Sequence, residues 1–168
     1  MVAAFRKQKD QKTLIDAMNL LPGDEYELWL VGQGECLDDV RNYVETKGLQ
    51  QRVKFWGNRT DVANVLHTAD MVCMSSHYEG LSLSNIEGMS SGRPFVASDV
   101  DGLREVTKGY GVLFPHGDAE ALAAIIRQLH DDKAYYDQIA DKCYQRAMMF
   151  DINKMVDGYE SVYKELVP

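Results

Sequence analysis

The chain has 168 residues, 45% of them hydrophobic and 26% charged, which suits one globular domain with a real core and excludes a disordered or collagen-like chain. Its 26 acidic residues against 18 basic ones give a formal net charge of −8, which argues against a nucleic-acid partner, because phosphate backbones are held chiefly by clustered Lys and Arg. No apolar run approaches the roughly 20 residues that span a bilayer, and the opening MVAAFRKQ lacks a signal peptide's apolar core, so a soluble protein without a transmembrane segment is expected.

In chain order, VAAF (Val2 to Phe5) reads as a short strand, followed by RKQKDQK, where Arg6, Lys7, Lys9 and Lys12 make a local positive patch. Such a run is ordinarily a solvated helix face. Amphipathic helix candidates then alternate with β-rich runs. DQKTLIDAMNLL precedes YELWLV (Tyr26 to Val31), CLDDVRNYVETKG precedes VKFW (Val53 to Trp56), and TDVANVLHTA precedes MVCMS (Met71 to Ser75). LSLSNIEGMSSG leads to PFVAS (Pro94 to Ser98) and then GVLF (Gly111 to Phe114). The alternation predicts an α/β fold, a Rossmann-like doubly wound parallel sheet of about six strands flanked by helices. From Asp118 to Leu166 three further helical stretches add more helix than the sheet needs for cover. The first strand is shorter than the usual five or six residues and Met1 sits almost on it, so residues 1–168 are expected to be one domain cut from a longer chain.

Two turns after strands have the composition to meet a ligand. WLVGQGE places Gly32-x-Gly34 between a strand and a helix, where glycine lets backbone approach a phosphate. The third glycine of a dinucleotide fingerprint is replaced by Leu37, and a plain turn needing positive φ explains the pair equally well. SSHYEGLSLSNIEG follows the Met71 to Ser75 strand, at the sheet edge where open α/β folds collect ligands. There Gly80 allows close approach, and the free amides around Ser82 and Ser84 at a helix start favour an anion such as a diphosphate. Two carboxylates flank that start. Glu87 completes a capping box as Ser84-x-x-Glu87, and Glu79 suits a helix dipole, so neither requires a ligand. A lone Trp56 after its strand is more often core than a base-stacking surface.

Cys36, Cys73 and Cys143 have neither CxxC spacing nor an even number, which favours a reducing, cytoplasmic compartment over a disulfide framework. His67, His77, His116 and His130 show no close ligand spacing, so no structural metal is expected.

The segments LWLVGQGE, VKFWGNRTDVANVLHTADMVCMSSHYEGLSLSNIEGMSSGRPFVASDVDGLREV and GYGVLFPHGDAEALAAII resemble, in order and spacing, the C-terminal domain of retaining glycosyltransferases of family 4, two-domain enzymes of GT-B architecture. The paired glutamates are that family's most specific mark. The resemblance implies a nucleotide-sugar (donor) binding domain whose N-terminal acceptor domain is absent from this chain. Glu79 would meet donor-sugar hydroxyls, Glu87 the ribose hydroxyls, and the backbone from Gly80 through Leu81 and Ser82 to Leu83 the sugar and diphosphate. Lys9 matches a lysine that neutralises the departing diphosphate. The arginine that accompanies it in the family is replaced by Ala4, and Arg6, two residues on, is a candidate for the same phosphates. Gly57 and Asn58 would line the nucleobase site. No metal and no cofactor beyond the donor are implied.

The expected function is therefore the donor half of a hexosyltransferase moving sugar from a nucleotide diphosphate, UDP or GDP, to a glycan, lipid or other acceptor, and inactive alone. Bacterial polysaccharide or glycolipid assembly is the expected setting, with the full-length protein at the inner face of the cytoplasmic membrane. The alternatives are a non-catalytic nucleotide-sugar binding module, which Ala4 favours, and a nucleotide-sugar 2-epimerase-like domain. The segment MVDGYESVYKEL resembles the helix that crosses back onto the missing domain, and an exposed apolar face is expected there.

Overall fold

A computed structural model describes residues 1–23 and 25–166 of the chain. Among the described residues five strands form, all paired in parallel: β1 (Leu28–Val31), β2 (Val53–Gly57), β3 (Val72–Met74), β4 (Phe95–Ser98) and β5 (Val112–Phe114). β1 pairs with β2, and β4 stands between β3 and β5. Every residue of β3 and β4 is buried, which is why these runs are continuously apolar rather than alternating.

The sixth run, Val2 to Phe5, is not a strand. It makes one parallel bridge, Val2 to Val31, and the Ala3 and Phe5 amides each donate over 3.0 Å, to the carbonyls of Val31 and Gln33. β1 ends at Val31, so the residues this segment would pair with have already turned into the glycine loop, and no ladder can grow.

Eight α-helices connect and follow the described strands: α1 (Gln11–Leu20), α2 (Leu37–Thr46), α3 (Val62–Thr68), α4 (Leu83–Ser90), α5 (Leu103–Thr107), α6 (Ala119–Asp131), α7 (Lys133–Ala147) and α8 (Ile152–Leu166). Asp118 and Asp132 start α6 and α7 by accepting the Ala121 and Tyr135 amides, as short acidic residues do at free helix ends. The five-residue α5 has no counterpart in the sequence pattern, being too short to carry a period. α1 packs on α2 and α6, and α4 packs on α5 and α7. The core between helices and strands holds Phe5, Leu14, Ile15, Leu30, Met74, Met89, Phe95, Phe114 and Leu122, none more than 2% exposed.

α8 buries nothing. Its apolar side chains Ile152, Met155, Val156, Tyr159, Val162, Tyr163 and Leu166 are all exposed, and their three- and four-residue spacing puts them along one stripe. No helix is long and apolar enough to cross a membrane among the described residues.

Candidate functional site

Because all strands run in parallel, the segments that follow them emerge at one edge of the sheets. Two of the glycines there are explained by contact with protein. A Cβ on Gly32 would lie 2.1 Å from the Ala3 carbonyl oxygen, and one on Gly34 would lie 2.3 Å from that of Phe5. The Gly32–Gly34 turn is thus pressed against the opening segment, and the Gly32 amide reaches the Gly57 carbonyl over 2.8 Å. Gly32 and Gly34 therefore lie against Ala3 to Phe5, while Gly57 reaches this turn only through its bond to Gly32. A Cβ on Gly80, by contrast, would meet nothing within 4 Å, although the neighbouring turn is tight: one on Gly102 would sit 2.3 Å from the Glu79 carbonyl oxygen.

The opening segment continues into a 3-10 turn, Lys7–Lys9, which is stapled to the loop after β3. The His77 amide donates to the Gln8 carbonyl over 2.8 Å, and the Gln8 side-chain amide donates to the Tyr78 carbonyl over 2.7 Å. Between these staples Lys9 Nζ lies 2.5 Å from Glu79 Oε1, with 16% and 7% of the two side chains exposed. Ser76 Oγ donates to the same carboxylate oxygen over 2.6 Å, and Ser98 Oγ of β4 holds the Ser76 carbonyl over 2.6 Å. The basic run is thus divided. Lys9 is turned inward, while Arg6 is exposed and its guanidinium makes no hydrogen bond or ion pair among the described residues.

α4 begins at Leu83, one residue before the expected capping serine. Its cap is Ser82, whose side chain bonds no backbone amide, so the amides of Leu83 and Ser84 are left open. The capping box of Ser84 and Glu87 does not form, because Ser84 already lies inside the first turn. Glu87 is exposed and beside His67, Ser90 and Ser91 at a shallow cleft between α3 and α4. Leu81 and Leu83 are exposed around the loop, as is Tyr78.

Beyond β2, Asn58 is exposed, and Arg59 grips Asp61 through two 2.7 Å hydrogen bonds that hold its carboxyl below the usual range. Trp56 is 43% exposed and stands edge-on to Trp29 with centroids 5.3 Å apart, so the expectation of a core tryptophan is corrected. β2 is an edge strand, and its outer side chains have only one neighbouring strand to cover them.

Sequence reasoning missed Ser76, Gln8 and Asp10. For Ser76 a signal was available in its three-residue spacing from Glu79, but Gln8 and Asp10 meet the β3 loop only through the fold. The histidines have no close spacing in sequence, yet His77 Nδ1 and His116 Nε2 lie 2.5 Å apart, with Asp10 beside them. A cavity of about 750 Å³ lies at the opposite edge, against the starts of β1 and β3, and none of the residues expected to bind donor lines it.

Comparison with known proteins identifies the family of the chain and related folds. The family described as glycosyl transferases group 1 matches residues 1–146. The lipopolysaccharide core biosynthesis glycosyltransferase LpsE of Rhizobium meliloti is 30% identical over 158 residues, covering 92% of this chain and 46% of that protein. The putative glycosyltransferase EpsD of Bacillus subtilis is 30% identical over 165 residues, covering 96% and 43%. Among solved structures, Anabaena Alr3699/HepE in complex with UDP superposes with a TM-score of 0.92 at 25% identity, and its UDP-glucose complex with 0.91 at 26%, each covering 98% of this chain and 47% of the other. The chain thus spans less than half the length of these relatives. With the match running from Met1 through the Lys9 and Glu79 loops to α7, the chain belongs to the group 1 glycosyl transferases.

Proposed function

We propose that this chain is the nucleotide-sugar binding domain of a retaining glycosyltransferase, a hexosyltransferase that requires a second, acceptor-binding domain to transfer sugar. The observation that carries the reading is the Lys9–Glu79 pair beside the open amides of α4. It unites, at one edge, a cation suited to a departing diphosphate, backbone donors suited to its oxygens and a carboxylate suited to sugar hydroxyls. Likeness to a protein solved with UDP and with UDP-glucose supports a uridine nucleotide as the donor carrier.

In the free domain Lys9 and Glu79 satisfy each other. Donor binding would hand the Lys9 ammonium to diphosphate oxygens and free Glu79 to accept from the sugar, with Ser76 still holding its carboxylate. Arg6, without a side-chain partner among the described residues and three residues before Lys9, supplies a second positive group in place of the arginine position occupied by Ala4. Glu87, exposed and without a capping duty, is available for ribose hydroxyls, and Gly57 with Asn58 for the base. Three free cysteines support a cytoplasmic site of action.

The experiment is calorimetric titration of the chain with UDP, GDP and ADP, repeated on Lys9→Ala and Glu87→Ala variants. Saturable binding of UDP, weakened by each substitution, is expected. Binding that neither substitution changes, or none by the folded domain joined to an acceptor domain, would overturn the reading.

A further inference from the structure

His77, Asp10 and His116 meet at the mouth of this edge, from three loops that the fold alone unites. His77 Nδ1 lies 2.5 Å from His116 Nε2 and 3.9 Å from Asp10 Oδ2, and one donor atom from each residue lies within 4.8 Å of the others. The rings are nearly perpendicular, with planes at 75° and centroids 4.7 Å apart. We propose that these three side chains form a binding site for a divalent transition-metal ion, zinc in the first instance.

The donor set argues for that class. Two imidazoles and one carboxylate suit zinc, nickel or copper, whereas magnesium and calcium take oxygen ligands. Two nitrogens on one tetrahedral zinc stand about 3.3 Å apart at Zn–N lengths near 2.0–2.1 Å. The imidazole pair must therefore open by about 0.8 Å, and both rings are on the surface, where they can turn. The third ligand is already oriented. Thr13 Oγ1 donates to Asp10 Oδ2 over 2.5 Å, the type of outer contact that aims a metal-binding carboxylate. Asp10 also adopts a left-handed backbone conformation, the one described non-glycine residue to do so, with φ of 48°, a strained state of the type that collects at functional sites. The His77 loop is held to the Asp10 segment by the backbone bond to Gln8, so two of the three ligands are fixed relative to each other before any ion arrives.

A metal here would tie the loop carrying Glu79 to the segment carrying Lys9 and to the turn after β5. It stands apart from the donor reading, since the three ligands are none of the residues assigned to donor.

The test is titration of chelator-treated protein with zinc ion alone, followed by calorimetry and thermal unfolding. One zinc per chain and a raised melting temperature are expected. His77→Gln and His116→Gln should each weaken binding at least about tenfold, because loss of a ligand costs no less than loss of an outer contact, while Cys36→Ser leaves it unchanged. Cobalt bound to the unaltered chain should show only nitrogen and oxygen ligation in its visible spectrum, a readout independent of any variant's folding. Absence of stoichiometric binding, binding that survives both histidine substitutions together, or a sulfur-to-cobalt band would overturn the proposal.

Discussion

Lys9 and Glu79, seventy residues apart in the chain, share a 2.5 Å ion pair that is almost wholly withdrawn from solvent. Breaking such a pair from one side leaves the other charge desolvated and uncompensated. Lys9→Met strands the less exposed partner, Glu79, and should cost stability toward the lower end of about 3–5 kcal/mol, given the residual exposure. Glu79→Gln keeps a side-chain acceptor for Ser76 and should cost less. Urea unfolding of the two variants checks the order, and equal costs would show that the pair is solvated in solution.

Glu87 offers the complementary case. It is exposed and caps nothing, so Glu87→Ala should change stability by no more than about 0.5 kcal/mol. A substantial loss of stability on thermal unfolding would restore the capping explanation.

Two glycines of the same region should behave oppositely. A Cβ on Gly88 of α4 would lie 2.6 Å from the Phe95 ring and 3.0 Å from Val72, and Phe95 is fully buried. Gly88→Ala should therefore destabilise by about 1–3 kcal/mol through overpacking. Gly80→Ala meets open space and should leave the unfolding midpoint nearly unchanged while weakening UDP binding measured by calorimetry.

Burial pushes the thiols of Cys73 and Cys143 up to about 11 from an ordinary 9.0. At pH 8 Cys36, half-exposed, should react with iodoacetamide well before the other two, as intact mass and peptide mapping will show. Between about pH 9 and 11 the unfolded chain has released protons that the folded chain keeps, so stability present below that window falls as pH rises through it. Replacing Cys143 by Ala should flatten the decline in a pH series of denaturation curves.

Much of this was legible in the residues. The apolar runs around Leu30, Val72 and Phe95, alternating with amphipathic segments, determined a parallel α/β class, because both-face burial and helical cover leave a periodic trace along the chain. The exposed stripe of α8 was expected only through the resemblance of MVDGYESVYKEL to a helix that crosses onto a second domain, and the glutamate and glycine pattern from Ser75 to Pro94 pointed to the group 1 glycosyl transferases. Other features depended on tertiary structure alone. Val2 to Phe5 failed as a strand because its partner had already turned away at Gly32, and Ser84 lost its capping role because α4 started at Leu83. The pairing of Lys9 with Glu79 and the meeting of Asp10, His77 and His116 were decided only when parallel strands delivered distant loops to one edge. Periodicity records which face a residue buries, but contacts across tens of residues are set by strand order and loop packing, which leave no spacing in the sequence.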